Sequence, residues 1–151
     1  MRVVIQRSKE ASVSYDDVTN SIDKGLVILL GMTHGDTLED INYLVKKISN
    51  LRIFEDSDNK MNLSIKDING SILLVSQFTL YASCKDGNRP SFTDSMNYND
   101  ALSLYNLFIE KLKKTNIPFK TGEFGEDMKV NLENDGPVTI IIDTKENLYE
   151  K

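Results

Sequence analysis

At 151 residues the chain has the length of one ordinary domain, and 40% hydrophobic residues with six Phe and six Tyr suffice to bury a core, which excludes a disordered chain. A formal net charge of −5 excludes broad non-specific binding to nucleic acid, because neutralisation of phosphates by Lys and Arg supplies most of that affinity. It leaves room for transient recognition of one RNA end by a small basic patch, for which Arg2, Arg7, Lys85 and Arg89 are candidates; the alternative is that all four are solvated surface charge.

The opening MRVVIQRSKE alternates apolar and polar residues where a signal peptide needs an unbroken apolar run. The longest apolar run, Leu26 to Leu30, is too short to cross a bilayer, so a cytoplasmic protein without membrane attachment is expected. A lone Cys84 rules out an intramolecular disulfide, and no Cys/His cluster has metal-ligand spacing, so neither metal nor cofactor is expected.

Met1 to Gln6 alternates at period two, and Ala11 to Tyr15 can pair with it across a polar turn at Ser8 to Glu10, which predicts an opening hairpin. Gly25 to Met32, GLVILLGM, is a continuous apolar run that suits a central strand covered on both faces. Thr37 and Asp40 form a capping pair ahead of Ile41, Leu44, Val45 and Ile48 at helical spacing, which predicts a helix of about four turns. Arg52 to Phe54 reads as a brief strand and EDSDNK as a polar turn. Ser71 to Tyr81, SILLVSQFTLY, is too β-branched and aromatic for a helix and reads as a strand throughout.

Ser83 to Pro90 is a loop, with Asp-Gly, Asn and Pro within a few residues. Asn97 or Asn99 caps a second helix through about Thr115, whose stripe of Ala101, Leu104, Tyr105, Phe108, Ile109 and Leu112 is core. Three strand-like runs follow, Phe119 to Thr121, Lys129 to Leu132 and Val138 to Asp143, the last two separated by a tight turn at Glu133 to Pro137. Many strands and two main helices give a single α+β (mixed α/β) domain over residues 1–151, with the helices packed on one side of a largely antiparallel or mixed, barrel-like sheet.

Familiar catalytic machinery is missing. The single histidine, His34, follows the central strand and reads as a loop residue without a catalytic role, and the nucleophile elbow, the phosphate loop and the dinucleotide fingerprint are all lacking. Two segments stand out. Ser76, Gln77 and Thr79 place polar groups among apolar neighbours, either as buried groups that need partners or by simple alternation with Gln77 and Thr79 on a wet face. Asp135-Gly136-Pro137 is either a backbone able to approach a ligand closely, with a Gly-Pro bond that accepts the cis form at low cost, or an ordinary trans hairpin turn.

SQFTLYA at Ser76 to Ala82, NRPSF at Asn88 to Phe92 and GEFGEDMKVNLENDGPVT at Gly122 to Thr139 closely resemble the D-aminoacyl-tRNA deacylases, formerly the D-tyrosyl-tRNA deacylases, and the likeness extends over essentially the whole chain. The resemblance implies a homodimer with two sites at the subunit interface, acting on the 3′ end of D-aminoacyl-tRNA. It assigns catalysis to Ser76, Gln77, Phe78 and Thr79, with the backbone N–H groups of Phe78 and Thr79 on the ester carbonyl and terminal ribose. It assigns chiral selection to Gly136 and Pro137, a cis turn inserted into the partner's pocket, and leaves Arg7, Lys85 and Arg89 as candidate tRNA contacts. An L side chain would meet the Gly136 carbonyl, a D side chain would point outwards, and glycyl-tRNA would be poorly excluded.

The ester is already activated, so positioning and oxyanion stabilisation outweigh a strong nucleophile, and water assisted by the 2′-hydroxyl of the terminal adenosine is the expected attacker. The rival mechanism makes Thr79 a covalent nucleophile and requires an adjacent base that the sequence does not reveal. Two further readings compete: a non-enzymatic nucleic-acid-binding module on the same fold, and a hydrolase of small D-aminoacyl esters.

Overall fold

The structure, a computed structural model, describes residues 1–149. Its strands are β1 (Arg2–Tyr15), β2 (Val18–Ile22), β3 (Gly25–Gly31), β4 (Phe54–Glu55), β5 (Met61–Leu63), β6 (Ser71–Ser76), β7 (Phe119–Thr121) and β8 (Lys129–Asp143); its helices are α1 (Leu38–Asn50) and α2 (Tyr98–Lys113). The main sheet runs β2-β1-β3-β6-β7, and β8 lies along the free side of β1. β3 pairs with β6, and β6 with β7, in parallel, while every pair that includes β1 is antiparallel. The result is an α+β domain with a mixed sheet nearly closed into a barrel.

The apolar run in β3 has the expected cause. Leu26, Ile28 and Leu30 face the helices and join Ile41, Leu44 and Ile48 of α1 and Phe108 and Leu112 of α2, while Val27 faces the other side with Val13, Leu73 and Val75. Each large apolar side chain removed from water in this way contributes roughly 1.5–3 kcal/mol. Both helices start as their sequences dictate: Thr37 and Asp40 form a capping box, and the Asn97 side chain accepts from the Asp100 N–H at 3.0 Å. Met1 closes the barrel end, its ammonium 2.8 Å from Asp36 Oδ1 and 2.9 Å from Thr144 Oγ1.

Three local expectations need correction. The opening segment is one strand of 14 residues, not a hairpin, because both of its halves find partners: Arg2 to Ser8 pairs with β3 and Ala11 to Tyr15 with β2. The first reversal instead comes after Tyr15, where Asp16 takes a left-handed φ of 47°. The stretch around Glu133 to Pro137 likewise does not reverse the chain, since both flanks of β8 pair with β1. Between the pairs Gln6↔Thr139 and Ser8↔Asn134, β1 advances two residues and β8 five, so three extra residues loop out of a continuing strand. Finally, β6 stops at Ser76 and passes into a 3-10 turn, Phe78–Tyr81.

Candidate active site

The end of β6 is dictated by its neighbour. Gln77 makes the last rung, its N–H donating to the Leu30 carbonyl at 2.7 Å, and β3 then ends at Gly31. The chain turns over that end so closely that a Cβ on Gly31 would lie 3.0 Å from the Gln77 carbonyl oxygen and 3.1 Å from Leu80 Cβ. Within the turn Leu80 N–H donates to Gln77 O at 3.3 Å, and the Ala82 N–H donates to Thr79 O at 3.0 Å. The N–H groups of Phe78 and Thr79, at the start of the turn, have no acceptor within it. Two side chains hold the turn from outside: Ser95 Oγ donates to Phe78 O at 2.9 Å, and Arg2 Nη1 donates to Leu80 O at 2.6 Å.

Beside the turn lies a cavity of about 510 Å³, lined on one wall by Val75, Ser76, Gln77 and Phe78 and on the other by Met96, Tyr98, Ala101, Phe124, Met128 and Val130, with Glu126 and Asp127 on its polar side. Its aromatic wall is ordered by ring contacts, Phe124 packing against Tyr98 at 5.3 Å and Tyr105 at 5.2 Å, while Phe78 meets Phe92 edge-on at 5.2 Å. Burial pushes the Tyr105 phenol up to about 12 and that of Tyr81 higher still, so both stay neutral at physiological pH. Thr79 Oγ1 accepts from the Gln77 side-chain amide, and no carboxylate or imidazole among the described residues is hydrogen-bonded to it. His34 lies apart on a loop, its Nε2 2.7 Å from the Thr93 carbonyl oxygen.

The looped-out residues of β8 form the second segment. The Gly136-Pro137 peptide is cis, Gly136 has φ 140°, and both residues are exposed. Asn134 ties the loop internally, its Oδ1 accepting from the Val138 N–H at 2.7 Å and its Nδ2 donating to Thr139 Oγ1 at 3.0 Å. Arg7 holds it from below: Nε donates to Asp135 O at 2.8 Å and Nη1 to Ile53 O at 2.7 Å, with Glu55 3.8 Å from Nη2. Arg7 is 5% exposed, so it belongs to the support of the turn and not to a basic surface patch. Arg2 is likewise committed internally, to Asp143 and Leu80. Lys85 and Arg89 stay exposed on the 83–90 loop.

The structure therefore brings Ser76, Gln77 and Phe78 to one cavity and sets Gly136 and Pro137 on a separate exposed turn outside its lining. Sequence reasoning missed the opposite wall. Ala101 reads only as part of the helix stripe, and Phe124 to Met128 lie in a stretch, GEFGEDM, whose glycines and acidic residues mark a loop without revealing what it faces.

The profile of the family described as "D-Tyr-tRNA(Tyr) deacylase" matches residues 4–143. The chain belongs to this family. A D-aminoacyl-tRNA deacylase from Finegoldia magna is 56% identical over 146 residues, 96% of this chain and 99% of that protein. A second from Fusobacterium nucleatum subsp. nucleatum is 56% identical over 97% of each chain. Among solved structures, that of a "c-Myc DNA Unwinding Element Binding Protein" superposes with a TM-score of 0.88 at 40% identity, covering 95% of this chain and 98% of that one. A probable eukaryotic D-amino acid tRNA deacylase, 17% identical, has a TM-score of 0.82 over 93% of this chain and 97% of that one and shows the shared fold. The deacylase family is one of hydrolases, and no helix among the described residues is long and apolar enough to cross a membrane.

Proposed function

We propose that the chain hydrolyses the ester joining a D-amino acid to the 3′ end of tRNA, in the cytoplasm, as a homodimer. Each site combines the Gln77–Thr79 segment of one protomer with the Gly136-Pro137 turn of the other. The reading rests on one observation above all: the Ser76–Thr79 segment and the Gly136-Pro137 turn, both within stretches that carry the family resemblance, are held by hydrogen bonds yet sit apart within one chain, the first beside the cavity and the second on an exposed turn outside its lining. A two-fold interface joins such segments reciprocally.

In this arrangement the cavity receives the aminoacylated terminal nucleoside, with Tyr98 and Phe124 offering ring faces for the base. The free N–H groups of Phe78 and Thr79 donate to the ester carbonyl and to the oxyanion that forms on it. Water, positioned by the 2′-hydroxyl of the terminal adenosine, adds to the carbonyl carbon; the bond to the 3′ oxygen breaks and that oxygen takes up the proton, releasing free D-amino acid and tRNA. The Gly136 carbonyl of the partner fills the space an L side chain requires, while a D side chain projects outwards unread. Glycine has no side chain to exclude, so glycyl-tRNA is cleaved as well. Lys85 and Arg89 on the exposed loop serve the tRNA backbone.

The deciding experiment compares release of D-tyrosine and L-tyrosine from their tRNA esters. Hydrolysis of the D ester alone is expected; equal rates on both would overturn the chiral filter. A second reading is favoured by the 40% identical structure, whose name is that of a DNA-binding protein: a module that binds nucleic acid without cleaving it. The net charge of −5 counts against it. A protein inert on D-tyrosyl-tRNA that still retains the RNA would establish that reading instead.

A further inference from the structure

We infer that Arg2 is a positioning residue for deacylation, anchored on Asp143 and holding the Leu80 carbonyl so that the Phe78–Thr79 end of the 3-10 turn keeps its aim. The inference rests on the function proposed above and adds to it a residue far from the reacting atoms in sequence. Arg2 Nε and Nη2 lie 2.9 and 2.8 Å from Asp143 Oδ2, and Nη1 donates to Leu80 O at 2.6 Å. The guanidinium carbon stands 4.6 Å from the Tyr81 ring centroid, so a cation–π contact adds to the hydrogen bonds. Asp143 is itself held, 6% exposed and with Oδ1 accepting the Lys145 N–H at 2.9 Å.

The turn needs such an anchor. Four residues of 3-10 helix make few internal bonds, and one of those present is long at 3.3 Å. Phe78 is 59% exposed, so little packing restrains that residue. Leu80 is in the last stretch of the turn, where carbonyls lack a helical partner, and Arg2 supplies one. Lysine replaces it only in part, because three separate guanidinium nitrogens engage Asp143 and Leu80 and a single ammonium does not reproduce that fork. The Arg2 side chain is 34% exposed but that of Asp143 only 7%, so loss of Arg2 also leaves a buried carboxylate with fewer partners, and the folded fraction has to be measured beside kcat.

The test compares wild type with Arg2→Gln, Arg2→Lys and Asp143→Asn in steady-state deacylation of D-tyrosyl-tRNA. Misplacement of a catalytic group by an ångström costs on the order of 100-fold, so kcat in Arg2→Gln is expected to fall about 10- to 100-fold with KM held within about threefold, and Arg2→Lys to recover only part of it. The double variant Arg2→Gln/Asp143→Asn is expected to be no worse than Arg2→Gln alone, because both changes break one device. Wild-type kcat in Arg2→Gln, or a loss that merely tracks the folded fraction seen by circular dichroism, overturns the inference. Amide chemical shifts provide a readout that needs no substrate: those of Phe78 and Thr79 are expected to move in Arg2→Gln while those of β2 do not, and unmoved Phe78 and Thr79 amides overturn the clamp. A wild type inert on D-tyrosyl-tRNA refutes the proposed function, while the amide comparison still decides whether Arg2 aims the turn.

Discussion

Thr79 carries a hydroxyl in the segment proposed for catalysis, but a nucleophile needs a base, and its oxygen is engaged by the Gln77 amide, a donor that lowers its nucleophilicity. What the segment offers is main chain. Thr79→Ala is therefore expected to keep substantial deacylase activity in a single-turnover assay, and a loss beyond about a thousandfold would instead mark a covalent route. Gly136 is the opposite case, a residue whose lack of a side chain matters. Its φ of 140° disfavours any L side chain, and a Cβ would lie 2.7 Å from Val138 Cγ2, 3.0 Å from the Val138 nitrogen and 3.1 Å from Arg7 Nη2. Gly136→Ala is expected to cost roughly 1–3 kcal/mol in urea unfolding and to displace the turn, raising L-ester hydrolysis relative to D-ester hydrolysis. A folded Gly136→Ala protein with the wild-type D-to-L ratio would count against the Gly136 carbonyl as the chiral filter.

Elements meet at two places that matter for stability and binding. At the barrel end the Met1 ammonium donates to Thr144, the residue after β8, and to Asp36, which also accepts, at 2.7 Å, from the Thr33 N–H beyond β3. Burial raises the Asp36 carboxyl above its ordinary value of 3.8 despite the ammonium beside it. A raised carboxyl binds protons more tightly folded than unfolded, so its contribution to stability is greatest below 3.8 and is lost as pH rises through the folded value. The stability difference between wild type and Asp36→Asn, from urea midpoints across the acid range, should accordingly shrink or turn against wild type as pH rises through that window; a difference growing with pH would contradict it. At the cavity, α2 and the 122–128 loop place Tyr98 and Phe124 against the end of β6. Loss of one stacking ring costs about 1–3 kcal/mol, so Tyr98→Ala is expected to raise KM about tenfold with kcat little changed. A fall in kcat at constant KM would remove Tyr98 from substrate binding.

For the whole molecule, the outward face of the sheet bears on assembly. Val4 pairs with Ile141 on one side and Leu29 on the other, and Ile141 is 66% exposed, so a row of apolar side chains crosses three strands on that face. Such a row suits the two-fold contact of the proposed dimer; if it forms there, Ile141→Glu is expected to halve the mass measured by light scattering and to abolish deacylation together with it. A monomeric wild type with full activity would refute the shared site. The strand period of β1, the continuous run of β3 and the capped stripes of α1 and α2 were legible because they are local: alternation, caps and helical spacing are written within a dozen residues. The two segments proposed for the site, Ser76 to Thr79 and Asn134 to Pro137, stand out in the sequence through the family resemblance. Their shapes were not. Whether Ser71 to Tyr81 stays a strand depends on where β3 stops offering partners, and whether Glu133 to Pro137 reverses the chain depends on β1 being long enough to pair with both flanks. The duties of Arg2 and Arg7 were equally hidden, since sequence reveals a positive charge but not the carbonyls 78 and 128 positions away that it serves. Local patterning thus determined the central strand and the two capped helices, and the resemblance of its motifs the family, whereas hydrogen-bond partners distant in the chain decided the turns, the cavity and the residues that hold them.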